Sequence, residues 1–196
     1  IGEFLHNLRS SLDAIVWQLA IPSPRYPDTI EFPIFKDSQD GRDAVTKRLI
    51  RGYNKSGLKK LREVDPAAEP LIQKLQPCFA ANAEAHELWI LSRLHNIDKH
   101  RTLLLTNSQV SASGVALRRG SWADLTVKTR PVDGALQSGA EVLRVHERQG
   151  ADVEFQPGFS FKVALNEPGL AAVDSRPVVL VLKKLYSFVN REVFPA

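Results

Sequence analysis

At Thr102 the spacing of apolar residues changes from about 3.6 to about 2, and this switch restricts the chain to an α+β architecture. Upstream, Leu5, Leu8, Leu12, Ile15, Val16 and Leu19 form one stripe, which predicts an amphipathic helix over 1–20 that Pro22 and Pro24 end. The stretch Pro22 to Pro33 holds four prolines and reads as an extended loop closing on Glu31-Phe32-Pro33-Ile34-Phe35. Helices follow over 41–52 and 56–63, with Gly52 to Gly57 as the break. A short helix is expected over 68–75, and a long one over 83–101. Downstream, the segments 124–129, 141–145 and 159–163 alternate as half-buried strands. Turn residues at Asp133-Gly134 and Gln149-Gly150 favour an antiparallel β-meander of four to six strands. Val179, Leu182, Leu185, Phe188 and Val189 then restore a helical stripe. The organisation expected is a helical bundle over 1–104, a β excursion over 105–176 and a C-terminal helix over 177–196 that packs back on the core, all as one compact unit.

A chain of 196 residues can bury most of its apolar surface without staples. The single cysteine, Cys78, forbids an internal disulfide and fits a reducing, cytoplasmic compartment; in Leu75-Gln76-Pro77-Cys78-Phe79 it reads as a small buried residue. No apolar run approaches the roughly 20 residues of a membrane span. The sequence opens at Ile1-Gly2 already inside an amphipathic pattern, so part of the first helix is expected to precede it. The net charge of +4 is unevenly placed, because Arg42 to Arg62 holds eight basic residues and one acid, Asp43. Of these, Arg48, Arg51, Lys55, Lys59 and Lys60 are the candidate contacts to a nucleic-acid backbone, with Tyr53 able to stack on a base. The plain alternative is a solvated face.

On the long helix, Glu87, Asp98 and Arg101 fall in the middle of the arc formed by Leu88, Ile90, Leu91, Leu94 and Ile97. Buried charges need partners, and the first helix offers Arg9 and Asp13, four apart. A structural network is therefore expected in which Arg9 answers Asp98 or Glu87, and Asp13 answers Arg101. A metal is a second use of the same face, through His95, Asp98, Glu87 and His6, although the repeated Glu-x-x-His pairs of di-iron bundles are absent and no cofactor is expected. A third use is RNA cleavage. Moving a 2′-hydroxyl onto its neighbouring phosphate requires a proton acceptor, a donor and a cation, and histidine with arginine supplies these near neutral pH. His86, Arg93 and His100 recur at spacing seven with Trp89 and Asn96 beside them, so Arg93 and His100 are the candidate catalytic pair, oriented by Asn96. In the β half, His146 with Arg144 and Glu147, and a strand edge over 109–115, are the candidate binding surfaces.

The pairing of Arg93 with His100, late on a long helix, resembles the Arg-x(4–6)-His motif of the HEPN superfamily. That resemblance covers the helical half only. It implies a metal-independent ribonuclease of toxin or defence type, acting as a homodimer, with Arg93 and His100 catalytic. Leu94 stands where the family usually carries a polar residue, so a non-catalytic HEPN-like relative is also implied. The segments Leu5-His6-Asn7-Leu8-Arg9-Ser10-Ser11-Leu12-Asp13 and Leu94-His95-Asn96-Ile97-Asp98-Lys99-His100-Arg101 also resemble a widespread set of uncharacterised bacterial proteins, which brings no activity with it.

Overall fold

The computed structural model describes residues 1–100, 106–129, 139, 141–167 and 169–195. The architecture is α+β. Contacts divide it into two compact units, Ile1–Leu104 with Pro168–Val173 and Val179–Ala196, and Leu105–Glu167 with Asp174–Val178. Among the described residues no helix is long and apolar enough to cross a membrane.

In the first unit, α1 (Gly2–Gln18) buries Leu5, Leu8, Leu12 and Val16, four residues of the predicted stripe. It ends where Leu19 and Ala20 turn, before Pro22. The proline-rich segment that follows has few backbone partners of its own, so side chains supply them. Glu63 is buried and accepts from Arg25 N at 3.0 Å and Tyr26 N at 2.7 Å, which satisfies a carboxylate that would otherwise be costly to bury. Gln76, also buried, accepts from Phe35 N at 3.3 Å and donates to Ile72 O at 3.1 Å.

The helix expected over 41–52 does not form. The segment is a short antiparallel ladder, β1 (Gly41–Arg42) with β2 (Leu49–Ile50), closed by a turn at Asp43. Two physical reasons account for it. The Asp43 carboxylate takes Val45 N at 3.0 Å, Thr46 N at 2.6 Å and Thr46 Oγ1 at 2.9 Å, offering the backbone an alternative to helical bonds. Val45 and Leu49 are exposed, so the apolar spacing had no core to bury. The expected glycine break at 52–57 is instead a π-helical turn over Tyr53–Gly57 that runs into α2 (Leu58–Leu61). Asp40 holds the start of that turn by accepting from Gly52 N at 2.6 Å. Tyr53 is fully buried, edge-on to Phe35 and Phe79, and a Cβ at Gly57 would lie 2.6 Å from its ring. Next comes α3 (Glu69–Lys74).

The long helix is shorter than its sequence pattern suggested. Ala83–Ala85 makes a separate 3-10 turn capped by Asn82, His86 is extended, and α4 spans Glu87–His100. His86 itself caps α4, its Nδ1 accepting from Leu88 N at 3.2 Å. Leu88, Ile90, Leu91 and Leu94 are buried, and α4 packs along α1. In α5 (Val178–Phe188) and the π-helical turn Val189–Val193, the buried line is Val181, Leu185, Val189 and Val193. Val179, counted in the predicted stripe, is exposed. Contacts from α5 reach α1 and the start of α4, with Lys184 paired to Glu87 at 2.8 Å, Phe188 edge-on to His86 at 5.2 Å, and Tyr186 beside Phe4 at 6.5 Å.

In the second unit, β3 (Thr106–Arg119) pairs antiparallel with β6 (Glu154–Leu165), and β4 (Leu125–Thr129) pairs antiparallel with β5 (Leu143–Glu147). Strand pairing is antiparallel as expected, but its order is nested, with the β4–β5 ladder lying in sequence between the two outer strands. Gly120 redirects the chain at the end of β3. Its φ of +94° suits glycine, and a Cβ there would lie 2.8 Å from Asp152 O. The predicted turn at Gln149-Gly150 is present, with Gly150 at φ +83°. Asp133-Gly134 lies outside the described residues.

His86 makes α4's start sensitive to pH. Burial lowers its pKa below the ordinary 6.5, with Glu87 opposing and Lys184 reinforcing the shift. The unfolded chain therefore binds this proton at higher pH than the folded one, so the contribution to stability is full above 6.5 and is lost as pH falls through the lower folded value. His86→Asn keeps a cap oxygen but does not titrate. The expected outcome is that the loss of stability between about pH 7 and about pH 5 becomes smaller in this variant, read as urea midpoints across that range. An unchanged slope refutes the cap assignment.

Candidate functional site

Four separate stretches of the first unit converge on one cleft of about 870 Å³. From α1 come Arg9 and Asp13, one turn apart. From α4 come Ser92, His95, Asn96 and Lys99, whose i, i+3, i+4, i+7 spacing places them on a single face. The segment 28–35 and the basic stretch 51–60 close the other sides, contributing Glu31 and Phe35, and Arg51, Lys55, Lys59 and Lys60.

The wall of the cleft is set by Arg9. Its Nη2 donates to Phe32 O at 2.8 Å and lies 3.0 Å from Asp13 Oδ1, while Asp13 Oδ1 accepts from Phe32 N at 2.9 Å. Both backbone groups of Phe32 are thereby tied to α1, and Glu31 stands 3.7 Å from the same guanidinium. Lys60 pairs with Glu31 and rests its ammonium 5.3 Å from the centre of the Phe35 ring. Six cations line the cleft, Arg9, Arg51, Lys55, Lys59, Lys60 and Lys99, against three carboxylates, Asp13, Asp28 and Glu31. Two of those carboxylates are already engaged. Burial raises the pKa of Asp13 most, with Arg9 and the Phe32 N–H pulling it down, Glu31 raising it further and Lys60 lowering it. His95 is half-buried and its pKa is lowered, by burial first and then by His6, Arg9 and Lys99, with Asp98 opposing. Its ring lies 5.7 Å from that of His6 on α1, tilted by 33°.

The residues expected to act together are placed apart. Asn96 lines the cleft, whereas Arg93 is exposed, lies 5.9 Å over the Trp89 ring and borders a separate pocket of about 250 Å³ with Lys36, Glu84 and the stretch Gly169 to Ala172. His100 is exposed at the last residue of α4, outside the residues lining the cleft. Of the basic strip, Arg51, Lys55, Lys59 and Lys60 line the cleft, while Arg48 is exposed in the turn between β1 and β2. Among the described residues the expected ion-pair network is two local arrangements. Arg9 is answered by Asp13 and Glu31, and Glu87 by Lys184 of α5, whose hydrogen bond and charge, with the Glu87 N–H and His86, outweigh burial and lower the Glu87 pKa. Asp98 lies against the first turn of α1, so close that a Cβ on Gly2 would overlap its carboxylate, a position that suits the positive end of a helix. Arg101 lies outside the described residues. His6 and His95 are neighbours, but among the described residues no three or more His, Cys, Asp or Glu side chains gather as a metal site needs. In the second unit, His146 is exposed opposite Thr126, Arg144 pairs with Glu141, and residues 109–115 are paired along one edge with β6.

Sequence reasoning missed Ser92 and Lys99 and considered His95 only as a metal ligand. The signal was present as a polar stripe at helical spacing, 92, 95, 96 and 99, adjoining the one that was followed. No family model, no curated protein and no solved structure matches the chain.

The Phe32 clamp is testable. Asp13→Ala leaves the Arg9 guanidinium and the Phe32 N–H without their acceptor and is expected to cost about 1–3 kcal/mol, whereas Asp13→Asn, which keeps an oxygen in place, costs less. Urea midpoints of the two variants check this, and equal losses would contradict the clamp.

Proposed function

We propose that this chain is an RNA-handling protein that binds single-stranded RNA through the cleft between α1, α4 and the basic stretch. One observation carries the reading: six cations supplied by three separate stretches converge on one opening, with only three carboxylates among them. Phosphates spaced along a strand meet such a surface with a favourable release of counterions, largely irrespective of sequence. Asn96, Ser92, Ser56 and Thr29 line the same space and offer donors and acceptors to a 2′-hydroxyl or a base edge. The resemblance of Arg93 and His100 to the HEPN motif supports RNA as the nucleic acid. A cytoplasmic setting and a homodimer belong to the same proposal, the first supported by the lone Cys78 and the second by that resemblance.

Fluorescence anisotropy with a labelled single-stranded oligoribonucleotide tests it. Affinity is expected to fall as salt rises, and the Lys55→Glu, Lys59→Glu double variant to bind at least about 10-fold more weakly, with the slope of log K against log salt reduced by about 1–2. Arg48→Glu, at an exposed turn, is expected to change affinity less. RNA that does not bind, or binds equally well to the double variant, overturns the proposal.

A further inference from the structure

Apart from the cleft, α4 lends Trp89 and Arg93, four residues apart and so on one face, to a second cavity of about 250 Å³. Lys36 and Glu84 bring two more charges to it, and the turn Gly169 to Ala172 closes it. That turn is anchored, since Leu170 and Val173 are buried and Val173 N donates to Leu170 O at 3.0 Å. Every residue of the lining belongs to the first unit. The charges of this cavity do not cancel. Lys36 and Glu84 answer each other at 3.2 Å, which leaves Arg93 over. Among the described residues no carboxylate lies within ion-pair distance of Arg93, whose contact is with the Trp89 ring. That contact is loose. Where Arg62 lies on the face of Tyr26 its guanidinium carbon is 4.3 Å from the ring centre, whereas Arg93 Cζ and Lys36 Nζ each stand 5.9 Å from the centre of Trp89. Van der Waals contact needs about 3.5–4.0 Å, so neither cation covers the middle of the indole, and this half-buried ring keeps apolar surface toward the cavity.

We propose that this cavity is a binding site for a small aromatic monocarboxylate, distinct from the cleft and independent of what the cleft binds. Charge sets the first requirement. One surplus cation matches one negative charge, whereas six cations against three carboxylates in the cleft suit a polyanion. The planar guanidinium of Arg93 can donate two parallel hydrogen bonds to the two oxygens of a carboxylate, a geometry that a single ammonium does not reproduce. Glu84 offers little repulsion, because Lys36 neutralises it and its side chain is 73% exposed, where solvent and salt screen its charge. Shape sets the second requirement. The indole of Trp89, with Leu170, Ala171 and Ala172, presents an apolar surface with one flat side, on which an aromatic ring can stack in an offset arrangement. Size sets the third. A volume of about 250 Å³ falls below the roughly 300–1,000 Å³ of sites for drug-sized ligands, so one ring with its acid group fits and a whole nucleotide overfills the space.

The experiment titrates the full chain with 4-fluorobenzoate and follows broadening of the ligand's fluorine resonance, a readout that needs no tryptophan and serves every variant equally. A ligand of about ten heavy atoms is expected to bind with a Kd of about 0.1–10 mM. Arg93→Gln should weaken binding at least about 10-fold, and Arg93→Lys less, because lysine keeps the charge without the paired geometry. Neutral 4-fluorobenzamide should bind the unaltered chain at least about 10-fold more weakly than the carboxylate does. Trp89→Leu should lose about 2- to 10-fold, the scale of one aromatic pair, and Trp89→Phe less. Arg93 is exposed, so its variants probe the site without disturbing the core. The Lys55→Glu, Lys59→Glu double variant should bind 4-fluorobenzoate as the unaltered chain does, and inorganic phosphate at equal concentration should not displace it. No broadening within that range, equal binding by Arg93→Gln, or displacement by phosphate overturns the site. Weaker binding in the double variant places the anion in the cleft and overturns it as well. Failure here leaves the RNA reading of the cleft standing, because the two openings share no lining residue.

Discussion

The bond from Arg9 to Phe32 O, together with the return bond from Phe32 N to Asp13, is the constraint on which the cleft depends. The segment from Pro22 to Pro33 is too rich in proline to form more than the 3-10 turn Pro27–Thr29, and its remaining backbone groups must be satisfied by something. Four side chains from three different places do this. Glu63 takes the N–H groups of Arg25 and Tyr26, the α1 pair takes both groups of Phe32, and Gln76 takes Phe35 N. With its polar backbone satisfied, the segment can bury Ile30, Phe32 and Phe35, which face the core between helices. An extended strand pinned in this way becomes a rigid wall, where a free proline-rich loop would have filled or blurred the opening.

The charges of the cleft follow from that arrangement. Acids are used up in holding the scaffold, because Asp13 serves Arg9 and Phe32 while Glu31 meets Lys60 and Arg9. The basic stretch brings more cations than these carboxylates can answer. Lys55 is the clearest case, since its ammonium lies 3.9 Å from Asp40 yet its side chain is 83% exposed, so this contact adds little stability and the charge is free to meet an anion. The surplus charge at the opening is thus a consequence of which residues the fold consumes internally.

The sequence made the α+β class legible because the two apolar periods are long and sharply separated at Thr102. The stripe on α1 and the basic strip were legible for the same local reason. Residues 41–52 were not, since their apolar spacing suggested a helix while Asp43 supplied a turn whose bonds outcompete it and Val45 and Leu49 meet no core. The nested strand order was hidden because turn residues mark where strands end and say nothing of which strand a long ladder will choose. Glu87 was correctly suspected of needing a cation, but its partner, Lys184, comes from the far end of the chain. Helical phase says which residues share a face. It does not say which face meets a neighbour.

That distinction decides how α4 is turned. His86, Arg93 and His100 lie seven apart, so they follow one line along the helix, about 10 Å between successive members. At the start of that line His86 caps α4 and stacks edge-on against Phe188, while Glu87 is tied to Lys184. These contacts fix the rotation of α4 about its own axis, because a helix pinned at one end and buried along Leu88, Leu91 and Leu94 cannot turn without exposing that row. With the rotation fixed, the line through Arg93 is carried toward the smaller pocket beside Trp89, and the adjoining line of Ser92, His95, Asn96 and Lys99 is carried over the cleft. The pairing of Glu87 with Lys184 therefore reaches beyond local stability, since the face that α4 shows to an anion is chosen by where its first turn is held.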